Sequence, residues 1–136
     1  MHQRDVALLV GLHGIQIAEF QLGHAAAGFL GQQLLRLLKN RKGSITGTYL
    51  KGVPLNRQQS KIRYVSLNIL NAGEVTAFFE EYQPQWVFHL AAMPRIQPSI
   101  INPEESLTNN LWGTSNVLQA AKEAGAKGVI FSGSSS

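Results

Sequence analysis

Two glycines at the start of a leucine-rich segment are the residues best suited to chemistry in this chain. Gly28 and Gly31 stand three residues apart, after Ala25-Ala26-Ala27 and ahead of the segment 32–39. Small residues let a backbone approach a charged group closely, and a helix that begins there directs free N–H groups and its positive dipole end at an anion. The spacing therefore indicates a phosphate-binding turn, although a helix start selected for close packing would look the same. A complete dinucleotide-binding pattern would have a further glycine at the position of Ala25 or Ala26.

No other group of side chains has the spacing of a metal or nucleic-acid site. The four histidines are scattered, and without cysteine the chain has neither disulfides nor thiolate metal ligands. The formal charge is +4, but the one dense basic cluster, Lys39-Asn40-Arg41-Lys42, follows a predicted helix, where cations complement the dipole. Apolar runs are far shorter than the roughly 20 residues of a membrane span. We therefore expect a cytoplasmic protein without a metal ion, a nucleic-acid partner or a membrane segment.

Strand and helix patterns alternate along the chain and predict an α/β fold. Apolar runs predict strands over 45–50, 62–67, 86–92 and 129–132. Periodicity predicts a helix over 30–39, and N-caps at Asn71 and Asn102 add to it for helices over 72–83 and 103–124. Gly113 in the last helix indicates a close approach to a neighbour. We expect the first helix to bury Leu30, Leu34, Leu37 and Leu38, and the last to bury Leu107, Leu111, Thr114, Leu118 and Ala121. Right-handed crossovers build this order into a doubly wound parallel sheet, incomplete at its C-terminal end.

The first strand has two candidates within an atypical segment, residues 1–24. Val6-Ala7-Leu8-Leu9-Val10 is uniformly apolar, whereas Ile17-Ala18-Glu19-Phe20-Gln21-Leu22 contains two polar residues. We favour the second, because connections from strand to helix usually take roughly 2 to 6 residues. A further hypothesis is that residues 1–24 are not native to the fold and that the domain comprises residues 25–136.

Several motifs in order resemble the extended short-chain dehydrogenase/reductases that act on nucleotide sugars, a family of epimerases, dehydratases and reductases. The resemblance covers about Ala25 to Ser136 and rests on these segments: Gly28-Phe29-Leu30-Gly31, Val65-Ser66-Leu67-Asn68-Ile69, Pro84 to Ala92, Ser99 with Asn102-Pro103, Asn110-Leu111-Trp112-Gly113-Thr114, and Phe131 to Ser136. It implies a Rossmann-like fold that binds NAD or NADP.

The resemblance also implies roles for individual residues. The backbone of Gly28, Phe29, Leu30 and Gly31 would contact the cofactor diphosphate, Asn68 would accept a hydrogen bond from the adenine amino group, and Ile69 would pack on adenine. Leu90, Ala91 and Ala92 would leave room for ribose and nicotinamide, and Asn110 would brace their loop. Ser134, or alternatively Ser136, would bond the reacting sugar oxygen as the catalytic hydroxyl.

Three departures from the family pattern affect the expected cofactor binding, cofactor preference and catalysis. Ala25 and Ala26 replace glycine and would crowd the diphosphate. Tyr49 stands where the family has an acidic residue for the ribose hydroxyls, and Lys51 is close by, so a 2′-phosphate is no longer repelled and NADP is favoured over NAD. The family's Tyr-x-x-x-Lys acid/base pair is absent, because no tyrosine in the chain has a lysine four residues later.

We therefore expect the cofactor-binding half of an NAD(P)-dependent nucleotide-sugar epimerase, dehydratase or reductase, with no turnover of its own. The parent enzyme would bind a nucleotide-diphosphate sugar, and it could form a homodimer. The alternative is a non-catalytic nucleotide-binding module or a truncated, inactive product.

Overall fold

Five parallel strands form the centre of the computed structural model, which describes residues 6–9, 29–38, 40, 43–51, 60–90 and 100–131. The strands are β1 (Val6–Leu9), β2 (Ile45–Tyr49), β3 (Arg63–Ser66), β4 (Trp86–His89) and β5 (Gly128–Phe131). Their order in the sheet is β3-β2-β1-β4-β5, and every neighbouring pair is parallel. The helices are α1 (Phe29–Leu38), α2 (Ala72–Tyr82), α3 (Pro103–Leu107), a π-helical turn (Thr108–Trp112) and α4 (Gly113–Glu123).

The first strand differs from the expectation. Val6–Leu9, not residues 17–22, occupies the central position, with Val6 paired to both Ile45 of β2 and Trp86 of β4. A central strand of a parallel sheet is covered on both faces, so a uniformly apolar run fits there better than one with Glu19 and Gln21. The expectation of a short strand-to-helix connection was misleading here. Residues 17–22 themselves lie outside the described residues.

Helices cover both faces of the sheet, as a doubly wound fold requires. On one face α2 and α4 pack over Val87 of β4, and the core is completed by this set of buried residues: Leu67, Ile69, Val75, Phe78, Phe79, Val117, Ala120 and Ala121. On the other face Leu35 of α1 packs with Ile45 and Ile62, next to the half-buried Phe88. Because Val87 and Phe88 are consecutive in β4, their side chains point to opposite faces. The predicted doubly wound parallel α/β fold is confirmed.

Two buried stripes differ from the predicted ones. Among the residues of α1 whose side chains the structure describes, Leu35 is fully buried, and Leu37, expected in the core, is 74% exposed. The side chain of Leu30 lies outside the described part. Leu34 and Leu38 are half-buried at the edge of the same core. The pairs Leu34-Leu35 and Leu37-Leu38 give this helix two overlapping apolar stripes. The stripe through Leu35 is buried because it packs against β2 and β4.

The last helical segment buries its small residues instead of its leucines. Gly113, Val117, Ala120 and Ala121 are buried in α4, whereas Leu107, Leu111 and Leu118 are 63%, 55% and 48% exposed. The π-helical turn between α3 and α4 changes the angular register, so positions spaced for one straight helix do not share a face. Of the residues expected on the buried side, Ala121 is buried and Thr114 is half-buried.

The predicted helix caps are confirmed. Asn71 accepts a hydrogen bond from the backbone N–H of Glu74 at 3.2 Å, and Asn102 accepts one from that of Glu105 at 3.3 Å. Each asparagine also donates its amide to the same glutamate, at 3.0 and 2.7 Å. These reciprocal bonds satisfy N–H groups that a helix start leaves free.

Candidate functional site

The carboxyl ends of the strands lie together along one edge of the sheet, because all five run in the same direction. β1 is central: the chain proceeds from it through α1 to β2 on one side, and it pairs with β4 on the other. The strand order therefore reverses between β1 and β4. In open α/β sheets, ligands bind in the crevice outside the carboxyl ends of strands at such a switch point. We take this edge as the candidate site.

The turn after β3, residues 67–71, is held rigidly at this edge. Leu67 N–H donates to the carbonyl of Tyr49 at 2.8 Å, which ties the turn to the end of β2. Asn68 closes the turn twice: its side-chain oxygen accepts from Leu70 N–H at 3.1 Å, and its carbonyl accepts from Asn71 N–H at 3.0 Å. Its own N–H donates to a Glu74 carboxylate oxygen at 3.1 Å. A nucleotide would meet a turn whose shape is fixed beforehand.

Helix α4 supports the same turn from beneath. Asn116 donates its side-chain amide to the Ile69 carbonyl at 2.8 Å. Gly113 lies so close to Ile69 that a Cβ built there would stand 2.5 Å from Ile69 Cδ1, so any larger residue would force the Ile69 side chain to shift. Ile69, which the resemblance places against adenine, has a side chain that is 3% exposed and packs in the core. What this residue offers at the surface of the turn is its backbone.

His89 at the end of β4 is a buried polar residue that the sequence analysis did not single out as functional. It has no exposed surface, its Nε2 lies 2.9 Å from Thr114 Oγ1 in α4, and its ring centroid lies 5.5 Å from that of Phe131. Burial lowers the pKa of His89 from 6.5 to about 4, so the imidazole is neutral at pH 7. Nδ1 has no partner among the described residues. Because an unpaired lone pair is tolerated better than an unpaired N–H, we assign the proton to Nε2, which donates to Thr114.

The described residues with predicted roles lie on elements that end at this edge or cover it. Tyr49 is half-buried at the end of β2, Lys51 is exposed two residues later, and Leu90 is half-buried directly after β4. Asn110 is half-buried within the π-helical turn. In α1, Gly31 is buried, and Phe29 and Leu30 form its first turn.

Five residues with predicted roles lie outside the described part of the chain: Gly28, Ala91, Ala92, Ser134 and Ser136. Their roles stay predictions.

Asn116 and Thr114 support the edge although the sequence predicts no such role for them. Asn116 gave no signal, because an asparagine at a helical position that looks exposed is ordinary. His89 did give one, as the only histidine inside the predicted apolar strand over 86–92. A buried polar group needs a partner, and the helix of Thr114 packs on this strand.

The chemistry available at this edge is that of hydrogen bonding and shape. Among the described residues no group of three or more histidine, aspartate or glutamate side chains could hold a metal ion. No helix in the described ranges is long and apolar enough to cross a membrane.

Comparison with known proteins agrees with this geometry. Residues 25–136 match the model of the NAD dependent epimerase/dehydratase family. The chain is 30% identical over 105 residues to a dTDP-glucose 4,6-dehydratase of Salmonella typhimurium, covering 71% of this chain and 29% of that protein. It is 30% identical over 115 residues to a UDP-glucose 4-epimerase of Mycolicibacterium smegmatis, covering 80% and 36%.

A solved structure gives the same result. MoeE5 in complex with UDP-glucuronic acid and NAD superposes with a TM-score of 0.72 and 26% identity, over 97% of this chain and 37% of that one. The chain thus spans about a third of the length of the proteins it matches. Since the family match covers most of its residues, this chain belongs to the NAD-dependent epimerase/dehydratase family.

Proposed function

We propose that this chain is the cofactor-binding part of an NAD(P)-dependent enzyme that epimerises, dehydrates or reduces a nucleotide-diphosphate sugar. The observation that carries the proposal is the parallel sheet with β1 at its centre and a preformed turn at its carboxyl edge. Membership of the family and the substrates named for its relatives support the same reaction class. When bound, the nicotinamide would supply the hydride acceptor and donor.

The residues present fit a dinucleotide. The helix α1 begins at Phe29, after β1, as the family's diphosphate-binding helix does, and the first turn has no acidic residue to repel an anion. The turn 67–71 would receive the adenine, and Leu90 after β4 would lie near the nicotinamide ribose. The whole path follows one edge of the sheet, from β3 to β4. Asn110 would brace the loop after β4 from its half-buried position in the π-helical turn.

We propose NADP as the preferred dinucleotide. The end of β2 and the residues directly after it are Tyr49, Leu50 and Lys51, and none of them is a carboxylate. Lys51 is exposed and could approach a 2′-phosphate, whereas a carboxylate would repel it. Titration with NADPH and NADH, followed by nicotinamide fluorescence, tests both binding and preference.

A charge reversal sharpens this test. In Lys51→Glu we expect the NADPH preference to fall by about tenfold, because one attraction is lost and one repulsion is added at a partly screened distance. Lys61→Glu serves as the control. It makes the same charge change just before β3 begins, at the amino edge of the sheet and away from the candidate site. Equal losses in both variants would contradict a role for Lys51, and failure of both dinucleotides to bind would contradict the proposed function.

We propose further that the 136 residues have no turnover on their own. Ser134 or Ser136 would supply one hydroxyl to the sugar oxygen, but the Tyr-x-x-x-Lys pair that would exchange the proton is absent. The alternative expected from the sequence, a nucleotide-binding module without catalysis, would likewise show no turnover. Hydride transfer to a nucleotide sugar by the isolated chain would contradict both. Homodimerisation of the parent and a cytoplasmic location also stay predictions.

A further inference from the structure

We propose that Asn68 presents a hydrogen-bond donor to the nucleotide base, so that the base site accepts a 6-keto purine as well as adenine. The inference rests on the proposed function and deepens it, because it concerns which bases the site admits. It reverses the role that the resemblance gives to this residue, which is that of an acceptor for the adenine amino group.

The orientation of the Asn68 side chain follows from its neighbour. Its Oδ1 lies 3.1 Å from the backbone nitrogen of Leu70. A backbone N–H can only donate, so the side-chain atom that faces it must be the oxygen, and the amide cannot be flipped without leaving two donors in contact. The Asn68 oxygen is therefore directed back into the turn, and the NH₂ group is directed away from it.

No acceptor in the described part of the chain takes that NH₂ group. The nearest carboxylate in sequence, Glu74, has both oxygens engaged: one accepts from the Asn68 backbone N–H at 3.1 Å and the other from the Asn71 amide at 3.0 Å. Asn68 is half-buried, at the carboxyl end of β3 where a base would lie. Nothing in the described part of the chain therefore competes with solvent or a ligand for its two amide hydrogens.

The turn keeps Asn68 in this orientation. The carbonyl of Ile69 is bound by Asn116 at 2.8 Å, and the Ile69 side chain is fixed beneath Gly113. Rotation of the Asn68 side chain would leave Leu70 N–H without its partner at a half-buried position, which costs free energy. The donor is therefore a fixed feature of the site before any ligand arrives.

A carboxylate at the same position would behave differently. One of its oxygens could hold Leu70 N–H and the other would face the base, where it would accept from the 6-amino group of adenine and repel a 6-keto oxygen. The NH₂ of Asn68 instead donates to a keto oxygen or to a ring nitrogen. The asparagine thus removes a selection against 6-keto purines that the acidic residue would impose.

The test compares two dinucleotides that differ only in the base. Nicotinamide hypoxanthine dinucleotide has a keto group where the adenine form has its amino group. We expect the full chain to bind the reduced hypoxanthine form with a dissociation constant within about threefold of that of NADH, and Asn68→Asp to raise the ratio of the two constants by about tenfold. Binding is followed by nicotinamide fluorescence, and circular dichroism verifies that the variant is folded.

Ala72→Asp is the charge control, because it adds the same negative charge at an exposed position in the first turn of α2, where a carboxylate is favourable and no hydrogen bond of the turn 67–71 is lost. We expect it to weaken both dinucleotides equally through charge repulsion and to leave the ratio unchanged. An equal ratio in the original chain and in Asn68→Asp, or an equal rise in Ala72→Asp, would overturn the inference while leaving the proposed function intact. If neither dinucleotide binds to the original chain, the proposed function fails and the inference fails with it.

Discussion

Acidification should destabilise this fold through one buried histidine, His89. Its side chain has no exposed surface, and burial lowers its pKa from 6.5 to about 4. Between these two pH values the unfolded chain binds a proton at this residue and the folded chain does not. The free energy of unfolding therefore rises with pH through this window, and the stability gained by keeping the imidazole neutral is lost as the pH falls from 6.5 towards 4.

The size of the effect follows from the pKa shift. Each unit corresponds to about 1.4 kcal/mol, so the shift amounts to about 3 kcal/mol near pH 4, a sizeable fraction of the stability of a domain this small. Protonation would also place a second N–H on the ring at Nδ1, which has no partner among the described residues. The charged form would thus be both poorly solvated and incompletely hydrogen-bonded.

His89→Gln isolates this contribution, because glutamine does not titrate and its amide can still reach towards Thr114. Urea unfolding, followed by tryptophan fluorescence at a series of pH values, gives the free energy of unfolding for both proteins. Subtracting one curve from the other removes the contribution of the carboxylates to the free energy of unfolding, because they titrate in both proteins. We expect the original chain to lose about 3 kcal/mol more than the variant between pH 6.5 and 4. Parallel curves over this range would refute the assignment of a buried, neutral histidine.

Substitutions at Gly113, Asn116 and Asn71 test the support of the turn 67–71. Gly113→Ala should destabilise by about 1 to 2 kcal/mol despite the better helix propensity of alanine, and adding Ile69→Val should restore part of the loss; additive urea-unfolding values would contradict their contact. Asn116→Ala should cost about 1 to 2 kcal/mol and speed amide exchange in the turn, and unchanged exchange would contradict its bond to the Ile69 carbonyl. Asn71→Ala should cost about 1 kcal/mol and Asn71→Ser much less, so equal unfolding midpoints for all three proteins would contradict its role as a helix cap.

The features that the sequence predicted well are those set by local chemistry. Asn71 and Asn102 mark helix starts because their side chains bond N–H groups three residues away, and no tertiary information is needed for that. The parallel sheet followed from the alternation of strands and helices. The close approach at Gly113 was also predicted, and the structure identifies Ile69 as the neighbour.

The features that the sequence analysis missed depend on contacts distant in the chain. Leu35 and Leu37 are equally apolar, and only the packing of α1 on the sheet decides which of them is buried. The π-helical turn shifts Leu111 and Leu118 out of the core, and nothing in the residues 108–112 signals that turn. The direction of the Asn68 amide is fixed by Leu70, a contact that depends on the exact path of the turn.

Backbone NMR of the isotopically labelled chain during titration with NADH and NADPH tests the central claim most directly, because it locates the nucleotide on the sheet. We predict that the amide shifts that change are those at the carboxyl edge: residues 29–31, 49–51, 67–71 and 90. The opposite edge, where Lys127 N–H bonds the Gln85 carbonyl, should be unaffected. Shifts concentrated around Gln85 and Lys127, or no change at saturating concentrations of either dinucleotide, would contradict the account.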